Sequence, residues 1–376
     1  MNKQVSAACL LAAAWSAASF AHAQNNVTLY GTIDEYIGYI RSGTGNDITG
    51  LNDGAILRSR LGVRGTEELG QGYQLKFTLE QGIGADTGAA ADGSRLFDRQ
   101  AWIGLNTPVG EFRMGRQNTQ VFYIGGAIDY TERTTFGSIF NTFGVPSRYD
   151  NDLSWKSPRV AGLQMDLHYA LPENTAATSN KGIWQLALDY QSGPWRAGYA
   201  GLVASPNAAT ATVRERIHYH NLYLNYKYGP GTVYLAAGRS NNSTANGNGR
   251  NTGAILSLVG SPNNHFAGTD LNAGRYYNLW EFSADYRVSP ALKVGAMLGG
   301  VRDTTGGEAG ARSANAGAYY DLSKRTLLYG FASVMKNQAN AGFRFSGSAA
   351  PSANLANADV NGQRLAGLQL GILHRF

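Results

Sequence analysis

The sequence predicts an all-β fold, a closed transmembrane antiparallel β-barrel of 16 strands. Three observations predict it. After residue 23 no apolar run approaches the roughly 18 to 20 residues that a membrane helix needs. Seven short Pro, Gly and Ser-rich turns alternate with eight longer polar loops. The segments between them alternate apolar and hydrophilic residues and carry aromatics near their ends, as barrel strands crossing a bilayer must.

The first 23 residues stand apart. Lys3 is followed by an uncharged run to Phe20 and then by Ala21-His22-Ala23, a small-residue cleavage pattern, so residues 1–23 read as a signal peptide and Gln24 as the mature start. The only cysteine, Cys9, lies within that segment, so the mature chain needs no disulfide framework. With 48 Gly, 21 Tyr and 14 Phe but only 15% charged residues, the rest is a chain of strands and turns. A secreted soluble β protein would share this composition, so placement in a membrane rests on organisation.

The short turns fall at Glu68–Gly72, Asn106–Gly110, Ser157–Gly162, Ser192–Pro194, Gly229–Gly231, Ser289–Pro290 and Leu322–Lys324. The longer loops run over 42–54, 85–94, 118–148, 172–181, 203–216, 241–274, 303–311 and 337–365. Seven and eight make fifteen connections, which join sixteen strands. In Gly72–Glu80, Tyr73, Leu75, Phe77 and Leu79 alternate with Gln74, Lys76, Thr78 and Glu80; in Gly182–Gln191, Trp184, Leu186, Leu188 and Tyr190 alternate with Gln185, Ala187 and Asp189. A two-sheet sandwich would also alternate. Polar, often charged residues opposite the apolar face of so many strands favour a barrel, which also leaves no sheet edge unsatisfied in lipid. Sixteen strands leave room for water inside.

Several motifs resemble those of the Gram-negative general porins. Val27–Asp34 is similar to their first strand, and Ser59–Gly70 to the second strand and its turn. Gly110–Gln117 resembles the strand entering the third, constriction loop, and Arg148–Pro158 the strand leaving it. Gly371–Phe376 resembles the closing strand with its terminal aromatic. The resemblance spans the mature chain, residues 24–376, and is strongest to the beta-proteobacterial branch. It implies a homotrimer in the outer membrane, each subunit a sixteen-stranded barrel with its own water-filled pore for small hydrophilic solutes and ions, narrowed by an inward-folded third loop. It also implies export through the periplasm and insertion by the barrel-assembly machinery, for which Phe376 would be the signal.

Alternation places Arg58, Arg60 and Arg64 on the lumen face of the second strand, opposite Leu57, Leu61 and Val63. Lys76 faces inward on the third strand, and Arg99 on the fourth, with Trp102 outward. Neighbouring strands would join these cations into one basic wall, and the resemblance adds Arg148. Such a wall favours anions by lowering their entry barrier. Alternatively these arginines only neutralise lumen carboxylates. The loop from Asn118 to Ser147 holds Phe122, Tyr123, Tyr130, Phe136, Phe140 and Phe143, too apolar a set to sit in water, so it should pack against the inner wall. The resemblance sets its acids, Asp129 and Glu132, across the opening from the basic wall.

No cofactor and no catalytic residue is expected. His218 and His220 could share a strand face, but no third metal ligand lies near them. None of the mature histidines accompanies a nucleophile motif or a phosphate loop. The loops 241–274 and 337–365, rich in Asn, Gly, Ala and Ser, leave open a surface-binding barrel. Without Lys3 the charge is 31 − 26 = +5, too diffuse to argue for a nucleic-acid partner.

Overall fold

The computed structural model describes residues 26–144, 147–172, 182–205, 216–241, 275–346 and 351–376; the expected signal peptide lies outside them. Its strand segments are β1 (Asn26–Ser42), β2 (Asp47–Asp53), β3 (Arg60–Gly70), β4 (Tyr73–Gly84), β5 (Ala89–Ala90), β6 (Gln100–Thr107), β7 (Gly110–Asn118), β8 (Arg148–Lys156) and β9 (Leu163–Ala170). They continue as β10 (Ile183–Ser192), β11 (Trp195–Ala204), β12 (Ile217–Tyr228), β13 (Gly231–Ser240), β14 (Tyr277–Arg287), β15 (Leu292–Asp303), β16 (Ala311–Asp321), β17 (Thr326–Asn337) and β18 (Arg364–Arg375).

These 18 segments make 16 staves. β2 and β3 follow one another along the same edge of β1 as one interrupted stave, and β5 is only a two-residue return onto β4, so 18 − 2 = 16. Every neighbouring pair is antiparallel, and the pairing of Thr32–Ser42 with Leu365–Arg375 closes the barrel. At this seam Gly31 and Phe376 exchange two backbone hydrogen bonds of 3.1 Å. The Phe376 ring lies so close over Gly31 that a Cβ there would meet it at 2.2 Å.

The first loop differs from expectation. Residues 47–53 of the predicted 42–54 loop fold back as β2, and the second stave is broken between Gly54 and Ser59. Asp34 on β1 holds this break inward. Its Oδ2 accepts from the backbone of Ile56 and Leu57, both at 2.8 Å, and its own N–H donates to Ser59 Oγ at 2.8 Å. Strand periodicity is therefore lost over residues whose backbone donors a carboxylate, rather than a ladder, satisfies.

Alternation elsewhere sorts the side chains as a bilayer demands. Trp184, Leu222 and Leu370 are 63%, 60% and 70% exposed on the outer face, while Gln185, Asn221 and Gln369 beside them are at most 3% exposed inside. So much exposed apolar surface would aggregate in water; against hydrocarbon it is matched to its surroundings. One residue breaks the expected phase. Trp102 faces the lumen, paired across the ladder with the buried Thr78, and Ile103 takes the outer position. The chain bends at Asp98–Arg99 just before β6, so Arg99 and Trp102, an odd number of residues apart, both point inward.

Candidate functional site

The long segment between β7 and β8 fills one side of the barrel. It begins with a short helix, Gln120–Ile124, whose Thr119 cap accepts from the Phe122 N–H. A second helix, Ile139–Phe143, is capped by Ser138. Tyr130, Phe136, Ile139, Phe140 and Phe143 are all at most 1% exposed, which is why so apolar a loop turns away from water.

Its docking is polar as well as apolar. Tyr130 donates to Asn315 Oδ1 at 2.6 Å, and Tyr319 donates to the Thr131 carbonyl at 2.6 Å. Asn225 and Asn315 donate to the carbonyls of Ala127 and Gly137 at 2.6 and 3.0 Å. Thr134 reaches Gln369 Oε1 at 3.1 Å, and the Thr135 N–H reaches the Ala55 carbonyl at 2.9 Å. Glu281 on β14 receives the second helix, accepting from Ser138 Oγ at 3.2 Å, Phe140 N at 3.1 Å and Ile139 N. A carboxylate at those orphan N–H groups satisfies them and complements the helix end. These anchors lie on β12, β14, β16 and β18 and in the Gly54–Ser59 break, so the loop occupies that side and the open passage runs along β3, β4 and β6.

The structure brings Arg60, Arg99 and Arg148 together on that open side. Arg99 is 2% exposed and pairs with Glu80 at 2.7 Å; Arg60 approaches the same carboxylate at 3.7 Å. Arg148 lies within electrostatic range of Arg99 and Glu80, and its guanidinium is 5.3 Å from the Phe122 ring centre. Arg58 precedes β3 in the irregular break, near the Asp53 carboxylate. The other two expected members lie elsewhere. Arg64, four residues down β3 from Arg60, rests over Tyr30 at 5.2 Å, and Lys76 lies toward the short-turn end, bound to Glu111 at 2.9 Å. The cations thus form a cluster with two outliers rather than one continuous wall.

The loop's acids do not oppose that cluster. Asp129 is 1% exposed and turned into the loop's own packing, its Oδ1 accepting from Thr131 N at 2.7 Å and Thr131 Oγ1 at 2.5 Å. Burial pushes its carboxyl up, and it touches Glu281. Glu132 binds Lys293, near the short-turn end of β15, at 2.9 Å. The loop instead presents a cation. Arg133 donates to the Tyr123 carbonyl at 2.8 Å, stacks 4.1 Å from the Phe122 ring centre and is close enough to Arg60 and Arg99 to feel both. Burial pushes its guanidinium down to about 10, so it stays charged at neutral pH. The Nε atoms of Arg60, Arg133 and Arg148 meet no acceptor among the described residues. Sequence reading missed Arg133 because Glu132 and Arg133 both take left-handed backbone, φ 53 and 76, which re-aims successive side chains and which no glycine announces.

Among these groups the balance is five arginines (Arg58, Arg60, Arg99, Arg133, Arg148) against two carboxylates (Asp53, Glu80), 5 − 2 = +3. Part of the expected basic wall does neutralise a lumen carboxylate, and an excess remains. His168, buried between Asp152 (2.6 Å) and Gln120 (2.8 Å), helps seat the first helix. His218 and His220 stand side by side, ring centres 5.7 Å apart, and no cluster of three or more potential metal ligands occurs among the described residues.

A closed barrel with an apolar outer band, a polar interior and a charged, loop-narrowed passage defines a water-filled transmembrane channel. The sequence profile of the Gram-negative porins matches residues 7–341, and the chain belongs to that family. An outer membrane porin protein of Bordetella pertussis is 30% identical over 90% of this chain and 95% of its own length. Outer membrane porin protein 32 of Delftia acidovorans is 26% identical over the full length of both. The anion-selective porin from Comamonas acidovorans superposes with a TM-score of 0.74 at 22% identity, covering 94% of this chain and 100% of that one.

Proposed function

We propose that this porin is a homotrimeric general-diffusion pore for small hydrophilic solutes that passes anions in preference to cations. The excess of arginine around the opening, with Arg133 of the loop facing Arg60, Arg99 and Arg148, carries the reading. Fixed cations in a confined passage lower the barrier for anions and raise it for cations. Arg58 joins this wall in the proposal, while Arg64 and Lys76 line the exit below it. The Comamonas porin superposed above is described as anion-selective, and an OmpT structure from Vibrio cholerae, 12% identical with a TM-score of 0.61, is described as a trimer form. In planar bilayers, reversal potentials in a potassium chloride gradient should show chloride preference; a cation-preferring wild type overturns it.

The acids of the loop have a different expected effect from the arginines. Asp129→Asn should leave the reversal potential unchanged, because that carboxyl is buried and pushed toward its neutral form. Glu132→Gln leaves the Lys293 ammonium without its counter-charge and should move it a small step toward anions, small because the pair lies toward the short-turn end, away from the arginine cluster. A large shift from Asp129→Asn would mean that its side chain reaches the passage.

Assembly should depend on the terminus. In the proposal residues 1–23 direct export and are removed, and Phe376 is read by the insertion machinery. Deleting Phe376 removes its backbone bonds and its ring from Gly31, and trimer on unheated gels should fall severalfold. Undiminished trimer in the deletion counts against that role.

A further inference from the structure

Two buried acids where the loop meets the wall take no part in ion conduction. Asp129 of the loop is 1% exposed and Glu281 of β14 2%, and the two carboxyls touch. One oxygen of each is fully employed. Asp129 Oδ1 takes the N–H and the hydroxyl of Thr131, and Glu281 Oε1 takes Ser138, Ile139 and Phe140. The other two oxygens, Asp129 Oδ2 and Glu281 Oε2, are buried and meet no hydrogen-bond partner among the described residues. A buried acceptor without a donor is costly, and more so when it is charged.

No neighbouring side chain supplies that donor or a counter-charge. Tyr130 commits its hydroxyl proton to Asn315, and Tyr319 of β16 commits its own to the Thr131 carbonyl. Tyr219 of β12 lies near Glu281 without a hydrogen bond to it. Lys293 of β15 is bound to Glu132 at 2.9 Å. Arg133, within electrostatic range of Asp129, is held over Phe122 with an N–H on the Tyr123 carbonyl. The next acid along β14, Asp285, accepts from the Thr232 N–H and the Tyr234 hydroxyl of β13. The Glu281 side chain is also closely packed: a Cβ on Gly299 of β15 would meet its Cγ at 3.1 Å and Ile139 at 2.9 Å. No set of three or more potential metal ligands occurs among the described residues.

Two carboxylates in contact, shut away from water and from any bound cation, cannot both be ionised. One proton between them turns two repelling acceptors into a donor and an acceptor, and satisfies both orphan oxygens together. Such a pair titrates as a unit. Its place in the loop gives it a consequence. Asp129 and the stretch Ser138–Phe140 are the two ends of the segment that carries Arg133, and the pair ties both ends to β14.

We propose that Asp129 and Glu281 hold one proton between them, and that this proton positions Arg133 at the opening by tying down both ends of its segment. Both are positioning residues, since neither faces the permeating ions. The inference rests on the loop narrowing the passage, and not on which ions the passage prefers. A released loop would expose both acids to water, where each ionises in the ordinary carboxyl range near about 4. The docked state therefore binds one proton more than the released state. Docking is tightest at low pH and weakens by up to about tenfold for each pH unit above that range. The loss ends where the docked pair itself yields its proton to solvent and goes from one negative charge to two.

Infrared difference spectroscopy and planar-bilayer recording of the full-length channel test this. At neutral pH, wild type should show the carbonyl band of one protonated carboxyl that both Glu281→Gln and Asp129→Asn lack, because an amide N–H replaces the shared proton and leaves the other acid ionised. In single-channel records, the population of wider, noisier openings should rise with pH in wild type, by up to about tenfold per unit between about pH 5 and about pH 9. It should stay flat in both amide variants, which cannot titrate there. All other ionisable groups are common to the three proteins, so the comparison isolates the pair, and openings of a defined size show that each barrel is folded. Absence of the band difference overturns the shared proton. A wild-type pH profile that matches the amide variants, or that grows noisier toward acid, overturns the positioning role. A cation-preferring wild type would leave both readouts untouched, so failure of the anion-preferring reading is told apart from failure of this one.

Discussion

Arg60→Glu combined with Arg133→Glu should turn the pore from anion-preferring to cation-preferring. Each substitution removes a positive charge and adds a negative one, so the balance at the opening goes from +3 to 3 − 4 = −1. The two positions come from opposite sides, β3 and the inward loop, and the pair therefore tests the whole ring rather than one wall. Either single variant should shift the reversal potential toward cations by a smaller step. The effect should shrink in concentrated salt, where the screening length falls to about 3 Å at 1 M. An unchanged reversal potential in the double variant, with conductance retained, would mean that these arginines do not face the permeating ions.

Glu281→Ala should release the second helix of the loop. The carboxylate takes hydrogen bonds from Ser138, Ile139 and Phe140, and its loss leaves those donors and the buried Asp129 without their partner. At about 1–2 kcal/mol per hydrogen bond, two or three of them cost on the order of 3 kcal/mol of docking. Single-channel records should show larger, noisier openings from an intact barrel. Glu281→Gln keeps an acceptor at the helix end and should restore most of the quiet state. Wild-type conductance and noise in Glu281→Ala would show that the remaining anchors suffice.

The staves and their short turns are legible in the sequence because lipid outside and water inside force a strict two-residue period, and Trp184 with Leu222 obeys it as cleanly as Gln185 with Asn221. Legibility fails wherever the backbone leaves that period. A bend at Asp98–Arg99 resets the phase, so Trp102 turns inward against expectation. The Gly54–Ser59 break removes Arg58 from its strand. Inside the loop no period exists at all. Resemblance sets Asp129 and Glu132 at the opening, whereas the left-handed backbone at Glu132 and Arg133 re-aims successive side chains and brings Arg133 there instead. Lys76 illustrates a different limit. Its partner Glu111 lies two strands away, and such a pairing becomes visible only when register is known.

The seam that closes the barrel also carries part of the loop's docking site. Thr134 is held by Gln369 on the last strand, and Thr135 by Ala55 in the break that Asp34 of the first strand folds inward. Chain ends separated by the whole polypeptide must therefore meet before the passage acquires its final width. An unclosed sheet lacks these two contacts while keeping the anchors on β12, β14 and β16, so the loop is fully docked only in the closed barrel. A barrel stalled before its final strand arrives would be distinguishable by protease access to the loop, so the same contacts that set the size of the opening also record whether construction has finished.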